Sequence, residues 1–508
     1  MGRSRGALKT LRVGVVSAGS KKATCSAECK AARIGAGWSW CAAAARWKPE
    51  PLAALVCIVS VCACGLWAAE AEASIADILG VGSRGTAMGM AYSAVAEDYS
   101  AVFYNPAGLT QTDRVEVTVQ ITHAKARFTV RNRDELIRFY QERFNLPADS
   151  TMVTRSLSTG DMPDARGVML GLSGDLGYLT GAKNLYLGLA LYVPFGKLVE
   201  TPVVFRTDEI PYFVRYVDTL QGMDMHVGLG YRIMERVSVG AGLHVFLNLE
   251  GETFIDTVLL DLKDIQNPKS ISVLPGVNRQ AIMAYAPTAS VLFRPLDRLR
   301  VGITYRGENK AKIEYNQYIT IGLRQPAPTG TAEEKSINLL VASLPFDYVF
   351  YFTPRSVTVG LAYQLGDRML VSGDLAWYEY SHFVDGKGND PHPRFDDILV
   401  PRLGIDYKVS DRTHLYAGYF YEPSPVPDQR TANDYLDMDR HVLSAGAGVT
   451  FDAPFPFWRK ELEVQGFFQG QIMEPRGIQK SRDGDSYGPN YSIKGYILQG
   501  GVSLVFHY

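Results

Sequence analysis

After residue 112 the chain alternates with period two in segments of about ten residues, the length of a tilted strand that spans a bilayer. Met223, Met225, Val227, Leu229 and Tyr231 alternate with Asp224, His226, Gly228 and Gly230, and Met369, Val371, Leu375 and Trp377 alternate with Leu370, Ser372, Asp374 and Ala376. One face is apolar and the other mixed. The pattern predicts strands at 115–131, 166–177, 184–194, 221–232, 237–249, 282–294, 298–312, 353–364, 368–380, 398–408, 412–422, 440–451, 460–473 and 492–508.

The connections alternate in length. They are long at 132–165, 195–220, 250–281, 313–352, 381–397, 423–439 and 474–491, and short at every position between. A soluble sandwich has no reason to alternate so strictly, whereas a membrane barrel has long loops on one side and short turns on the other. Closure also meets a physical requirement, because every backbone N–H and C=O in hydrocarbon needs a partner and an open edge has none. The expected fold is all-β, a transmembrane antiparallel β-barrel of about 14 strands. Glu235-Arg236, Asp297-Arg298, Asp367-Arg368 and Asp411-Arg412 occupy four short turns, where the acidic group can bond turn backbone and the Arg can reach headgroups or water. In the first long loop, Leu136, Ile137, Tyr140 and Phe144 have helical spacing and predict a short amphipathic helix.

Composition adds a leader. All six cysteines, at 25, 29, 41, 57, 62 and 64, precede residue 73. The apolar run from Pro51 to Ala69 leads to Ala71-Glu72-Ala73, a cleavage pattern before Ser74, so residues 1–73 read as a leader with a signal peptide. Residues 1–45 look like neither a fold nor a targeting signal and suggest a mis-assigned start. A mature chain from Ser74 is cysteine-free, which suits passage through an oxidising compartment. After Ala73 the chain carries 42 basic and 49 acidic side chains, which argues against nucleic acid as a partner. The expected division is a short N-terminal segment, 74–112, followed by the barrel, 113–508.

Gly80-x-Gly82-x-x-Gly85 has the spacing of a dinucleotide loop, but no βαβ unit surrounds it. The longer stretch GSRGTAMGMAYSAVAEDYSAVFYNPAGL, residues 82–109, resembles the N-terminal segment of the FadL/TodX family of outer-membrane transporters for hydrophobic compounds. The resemblance rests on Gly82, Arg84, Gly85, Ala87, Met88, Gly89, Ala94, Ala96 and Asp98, and above all on Asn105-Pro106-Ala107. Further matches run through the chain, among them Tyr192-Val-Pro-Phe-Gly196, Gly240-Ala-Gly242, Tyr305-Arg306, Ala417-Gly418-Tyr419 and Asp439-Arg440. The resemblance implies a small hatch inside the barrel lumen, with Gly82, Gly85, Gly89, Asn105, Pro106 and Ala107 as hatch or gating residues. Small residues suit tight turns in a narrow interior, and Asn-Pro suits either the end of a helical turn or a turn into the first strand.

The resemblance further implies outer-membrane localisation and passive uptake of long-chain fatty acids or other hydrophobic molecules, captured outside and released sideways through a kink in the third strand. Val193, Pro194, Phe195 and Gly196 are the matching kink, where Pro194 removes a ladder donor; the same proline could simply end the strand. Leu344, Phe346, Tyr348, Phe350 and Phe352 form the expected outer capture surface. The residues after Gly242 lack the basic cluster of fatty-acid transporters, which leaves neutral or aromatic hydrocarbons open. Expected partners are a hydrophobic small molecule, outer-membrane lipid and lipopolysaccharide, and the barrel-assembly machinery. The machinery would recognise the last strand, where Tyr496, Leu498, Val502, Leu504, Phe506 and Tyr508 share one face. A monomer is expected, with no cofactor.

No catalytic motif occurs in the mature chain, and no metal site is expected: His226 beside Asp224 and His392 before Asp396 read as satisfied lumen or loop groups. Alternative functions are a barrel that scaffolds secretion or surface attachment, and a barrel lipid hydrolase.

Overall fold

The computed structural model describes residues 76–131, 133–143, 164–177, 181, 183–195, 212–213, 215, 223–261, 271–325, 335–385, 388–391, 393–430, 435–452, 460–480 and 490–508. The expected leader, Gly196, His392 and the side chains of Leu344, Phe346, Tyr348 and Phe350 lie outside the described residues.

The alternating segments are strands. They are β1 (Glu116–Arg131), β2 (Ala165–Asp175), β3 (Leu185–Pro194), β4 (Met223–Met234), β5 (Val237–Asp261), β6 (Ile271–Leu296), β7 (Leu299–Arg306) and β8 (Asn309–Gln325). There follow β9 (Lys335–Thr353), β10 (Ser356–Leu365), β11 (Met369–Tyr378), β12 (Ile398–Ser410), β13 (Thr413–Glu422), β14 (Arg440–Asp452), β15 (Glu461–Ile478) and β16 (Tyr491–His507). Fourteen of them, β1 to β7 and β10 to β16, pair in chain order into one closed ring. Closure comes from β16 returning to β1, from Glu116↔His507 to Arg131↔Ser492, so neither terminal strand leaves a free edge.

The segment 313–352, expected as a loop, instead belongs to a hairpin. β8 and β9 pair with each other along their length, and β8 adds in parallel to the far end of β5 at Thr257↔Thr320 through Asp261↔Arg324. Strands β5 and β6 likewise outrun their expected ends, pairing as far as Leu260↔Ile271. The hairpin therefore extends the wall on the long-loop side.

Among the described residues no helix is long and apolar enough to cross a membrane. The strands do so, and their apolar face is the outer one: Leu229, Leu243, Ile303, Leu361, Leu403 and Leu498 are all exposed. Such a surface would aggregate in water and is stable against lipid. The alternate positions, including Asp224, His226, Ser372, Asp374, Gln499 and Ser503, are buried inside the barrel. The short turns are linked to their neighbours: Arg236 meets Asp297 at 3.0 Å, and Arg298 lies 3.9 Å from Asp367. These exposed pairs contribute little individually.

Residues 76–111 fold into α1 (Ala76–Leu79), α2 (Ser83–Ala87), α3 (Ala101–Tyr104) and a 3-10 helix at Pro106–Gln111. None is long enough to be stable alone. Their stability comes from burial, since Leu79, Met88, Tyr92, Val102 and Leu109 are nearly inaccessible. The predicted loop helix is α4 (Arg133–Arg143), whose Ile137 and Phe139 pack against the main apolar cluster.

Candidate functional site

The N-terminal segment lies inside the barrel and is bonded to its wall around the circumference. Arg84 donates to Asp406 of β12 at 2.8 and 3.1 Å and to Glu97 at 2.7 Å. The backbone N–H groups of Tyr92 and Ser93 donate to Asp374 of β11 at 3.2 and 3.0 Å. Thr304 of β7 donates to the Tyr104 carbonyl at 2.9 Å, Gln471 of β15 to the Ile78 carbonyl at 2.8 Å, and Ser83 meets Ser503 of β16 at 2.5 Å. Buried bonds of this kind, those to Asp374 and Asp406 charge-assisted, are costly to break one at a time. Burial raises the pKa of Glu97, but Arg84 and Arg300 lower it by more and hold it below the ordinary carboxylate value. At Asp98 burial outweighs the bonds from Ser100, and the pKa is raised.

The Asn105-Pro106-Ala107 motif is fully buried. Asn105 closes α3 through its own N–H, which donates to the Ala101 carbonyl, and opens the 3-10 helix by accepting from the Ala107 N–H at 3.1 Å. Its amide donates to the Ser93 carbonyl at 2.7 Å and to the Val291 carbonyl of β6 at 3.3 Å, while Ser290 accepts from the Ala107 N–H at 2.9 Å. Pro106 stands where its missing N–H is unneeded. Gly82 precedes α2 at φ 77°, Gly89 has φ 63°, and Gly85 faces the Tyr104 ring. The Gly80-x-Gly82-x-x-Gly85 spacing thus builds compact turns inside the barrel rather than a nucleotide loop.

Two cavities border the N-terminal segment. On the long-loop side one is lined by Asp77, His244, Arg306, Tyr378, Tyr380 and Glu422. On the short-turn side the other is lined by Arg84, Glu97, Arg298, Arg300, Asp406 and Lys408. Arg306 lines the first cavity, Arg402 and Arg440 are buried in the barrel, and of the three the sequence did not single out Arg402. Arg306 pairs with Asp77 at 3.0 Å, and Arg440 pairs with Glu422 at 2.7 Å. Arg402 donates to the Tyr378 hydroxyl at 2.7 Å and lies over the Phe420 ring at 5.6 Å. Their signal was a charged residue on the lumen-facing phase of an alternating strand.

Of the expected capture surface, Phe352 is half-buried. Its ring packs edge-on against Phe383 at 5.1 Å, and Phe383 stacks on Phe395 at 4.9 Å, with Tyr435 closing the cluster. The sequence did not bring Phe383, Phe395 and Tyr435 together, because their contact depends on the folding of separate loops.

At the expected kink, β3 pairs with β2 without interruption to Gly167↔Pro194, and Phe195 still donates its N–H to the Arg166 carbonyl at 2.6 Å. Its ladder with β4 is described as far as Tyr192↔Asp224, and residues 216–222, just before Met223, lie outside the described ones. Phe195 is exposed, whereas Tyr192 is buried on the lumen side, its ring filling the space above Gly167.

A closed barrel of fourteen strands that encloses its own N-terminal segment is the architecture of an outer-membrane channel. Residues 62–457 match the family model described as Outer membrane protein transport protein (OMPP1/FadL/TodX), and the chain belongs to that family. It is an outer-membrane transport protein for hydrophobic compounds. It is 24% identical over 474 residues to Alkane uptake protein A of Marinobacter nauticus, covering 86% of this chain and 95% of that protein. The fold is similar to the crystal structure of a Pseudomonas aeruginosa FadL homologue, with a TM-score of 0.51 at 17% identity, covering 83% of this chain and 98% of that one. A deltaS2 mutant of the TodX monoaromatic hydrocarbon channel gives a TM-score of 0.51 at 14% identity, covering 85% of this chain and 100% of that one.

Proposed function

We propose that this barrel takes up long-chain hydrophobic molecules, alkanes foremost, by passive diffusion, and releases them sideways into the membrane at the end of β3. The N-terminal segment acts in this reading as a hatch, and the observation that supports sideways release is the end of β3, where Pro194 has no N–H to donate and Phe195 is exposed. The hatch occupies the direct route with buried, hydrogen-bonded groups, so a lateral path avoids dismantling it. An apolar molecule leaving the lumen there enters lipid directly and never crosses bulk water. Similarity to an alkane uptake protein supports the choice of substrate. The aromatic cluster around Phe352 and Phe383 is the proposed capture region, and the Asn105-Pro106-Ala107 junction the part of the hatch whose movement admits substrate. Arg402 offers a carboxylate partner should a fatty acid enter. The last strand is the segment presented to barrel-assembly machinery.

A staple tests the exit. Val193 and Met223 are opposed in continuation of the Tyr192↔Asp224 register, and the chain after residue 64 contains no other cysteine. Oxidising a Val193→Cys/Met223→Cys protein is expected to cut labelled hexadecane uptake by ~10-fold or more, with recovery on reduction. A control staple at Leu189→Cys/Val227→Cys, lower on the intact ladder, should leave uptake unchanged. Equal uptake in the oxidised and reduced Val193/Met223 protein contradicts exit at β3.

A further inference from the structure

On the lumen face of β4 and β5 three metal-ligating side chains converge. Asp224, His226 and His244 are 2%, 4% and 6% exposed. His226 and His244 are cross-strand partners, and their rings stack at 4.2 Å with an interplanar angle of 14°. Each turns its Nε2 toward the same carboxylate oxygen, Oδ1 of Asp224, at 3.0 and 2.7 Å. These approaches are close, yet none has hydrogen-bond geometry: both Asp224 oxygens and both Nε2 atoms lack a hydrogen-bond partner. Buried polar atoms are seldom left so, and four in one place call for a missing partner. The sequence reading of Asp224 and His226 as satisfied lumen groups is therefore not what the geometry gives.

The geometry points to a binding site for a divalent cation of the zinc class, held by His226 Nε2, His244 Nε2 and an Asp224 oxygen. All three ligand atoms lie within 4.8 Å of one another. Bonds of ~2.0–2.2 Å in tetrahedral geometry set ligand atoms about 3.3 Å apart, so small side-chain adjustments admit the ion. Two imidazoles and one carboxylate suit zinc, cobalt or nickel and disfavour calcium and magnesium, which take oxygen ligands. With Nε2 on the metal, His244 carries its proton on Nδ1 and needs an acceptor there. The Asn309 amide lies 3.2 Å from that nitrogen, and its Oδ1 is itself buried without a partner. Turning the amide end for end joins these two, giving the outer support that metal-binding histidines usually have.

Three protein ligands leave a fourth position free for water or a donor from a passing molecule. His244 lines the long-loop cavity, so that position is within reach of the lumen. Phe103 of the hatch covers His226 edge-on at 5.2 Å. The ion would cross-link the β4–β5 hairpin beside β3, where Asp224 pairs with Tyr192, and would place positive charge beside the N-terminal segment. The site stands independently of the transport reading.

Zinc titration of the chelator-stripped barrel in detergent, followed by calorimetry, tests it. One zinc per chain is expected, with affinity falling ~100-fold or more in His226→Ala and in His244→Ala and ~10-fold in Asn309→Ala. Metal-edge absorption on the unaltered zinc-loaded protein, which needs no variant to fold, should show two imidazole nitrogens. Absence of stoichiometric binding, binding that survives loss of both histidines, or a metal edge without imidazole overturns the proposal.

Discussion

Replacing Gly418 by Val is expected to prevent the hatch from seating and to remove nearly all folded barrel from the outer membrane. A Cβ at Gly418 would lie 2.0 Å from the Gly89 nitrogen and 2.2 Å from the Met88 carbonyl carbon. Overpacking costs about 1–3 kcal/mol where side chains can yield. Here both partners are backbone. Gly89 itself has φ 63°, a conformation that resists displacement into a new turn. Gly418 lies on β13, between the ladders to β12 and β14, so the strand cannot retreat without losing pairs on both sides. Outer-membrane yield and heat-modifiable gel mobility measure the effect. Gly470→Ala is the control, because a Cβ there meets only Leu498 Cδ2 at 3.8 Å. Normal yield of the Gly418→Val protein would mean that the hatch does not sit against β13.

The second large effect is expected from Asn105→Ala. The substitution removes donors from the buried Ser93 and Val291 carbonyls, whereas the Ala107 N–H keeps its bond to Ser290. An unsatisfied buried group costs about 1–3 kcal/mol, so the junction between α3 and the 3-10 helix loses roughly 2–3 kcal/mol. At 1.4 kcal/mol per factor of ten, the ratio of seated to loosened hatch falls by roughly 30- to 150-fold. The barrel ladders do not depend on this side chain, so strand assembly should persist. Limited proteolysis should cut the hatch far faster than in the unaltered protein, and hexadecane uptake, which the seated junction limits, should rise by ~10-fold. If Asn105 were only a turn residue, both would stay within about twofold.

Much of this architecture was legible because period-two alternation and loop length are local properties. Most of the fourteen barrel strands begin and end close to their expected positions, and α4 lies where its helical spacing predicts. The exceptions are β5, which runs on to Asp261 rather than 249, β6, which begins at Ile271 rather than 282, and β7, which stops at Arg306 rather than 312. The β8–β9 hairpin was not legible: it follows β7 after only Gly307 and Glu308, and nothing local separates a wall strand from one projecting beyond the membrane. The convergence of His226 and His244 needed register. A turn at Glu235-Arg236 without a bulge would oppose His226 to Val245. The register shift between Arg232 and Met234 moves the pairing by one residue, and in a sheet that decides which side chains face each other. Arg402 remained hidden because its partner, Tyr378, lies on the neighbouring strand at a position that only the β11–β12 ladder defines.

The most direct test of the central claim is uptake of labelled hexadecane by cells that lack the gene, compared with cells in which the full chain is restored. Transport through this barrel predicts loss of most uptake in the deleted cells and recovery on complementation, with no recovery from the Gly418→Val chain. Uptake that is unchanged when the gene is removed would contradict a role for this protein in moving hydrophobic molecules across the outer membrane.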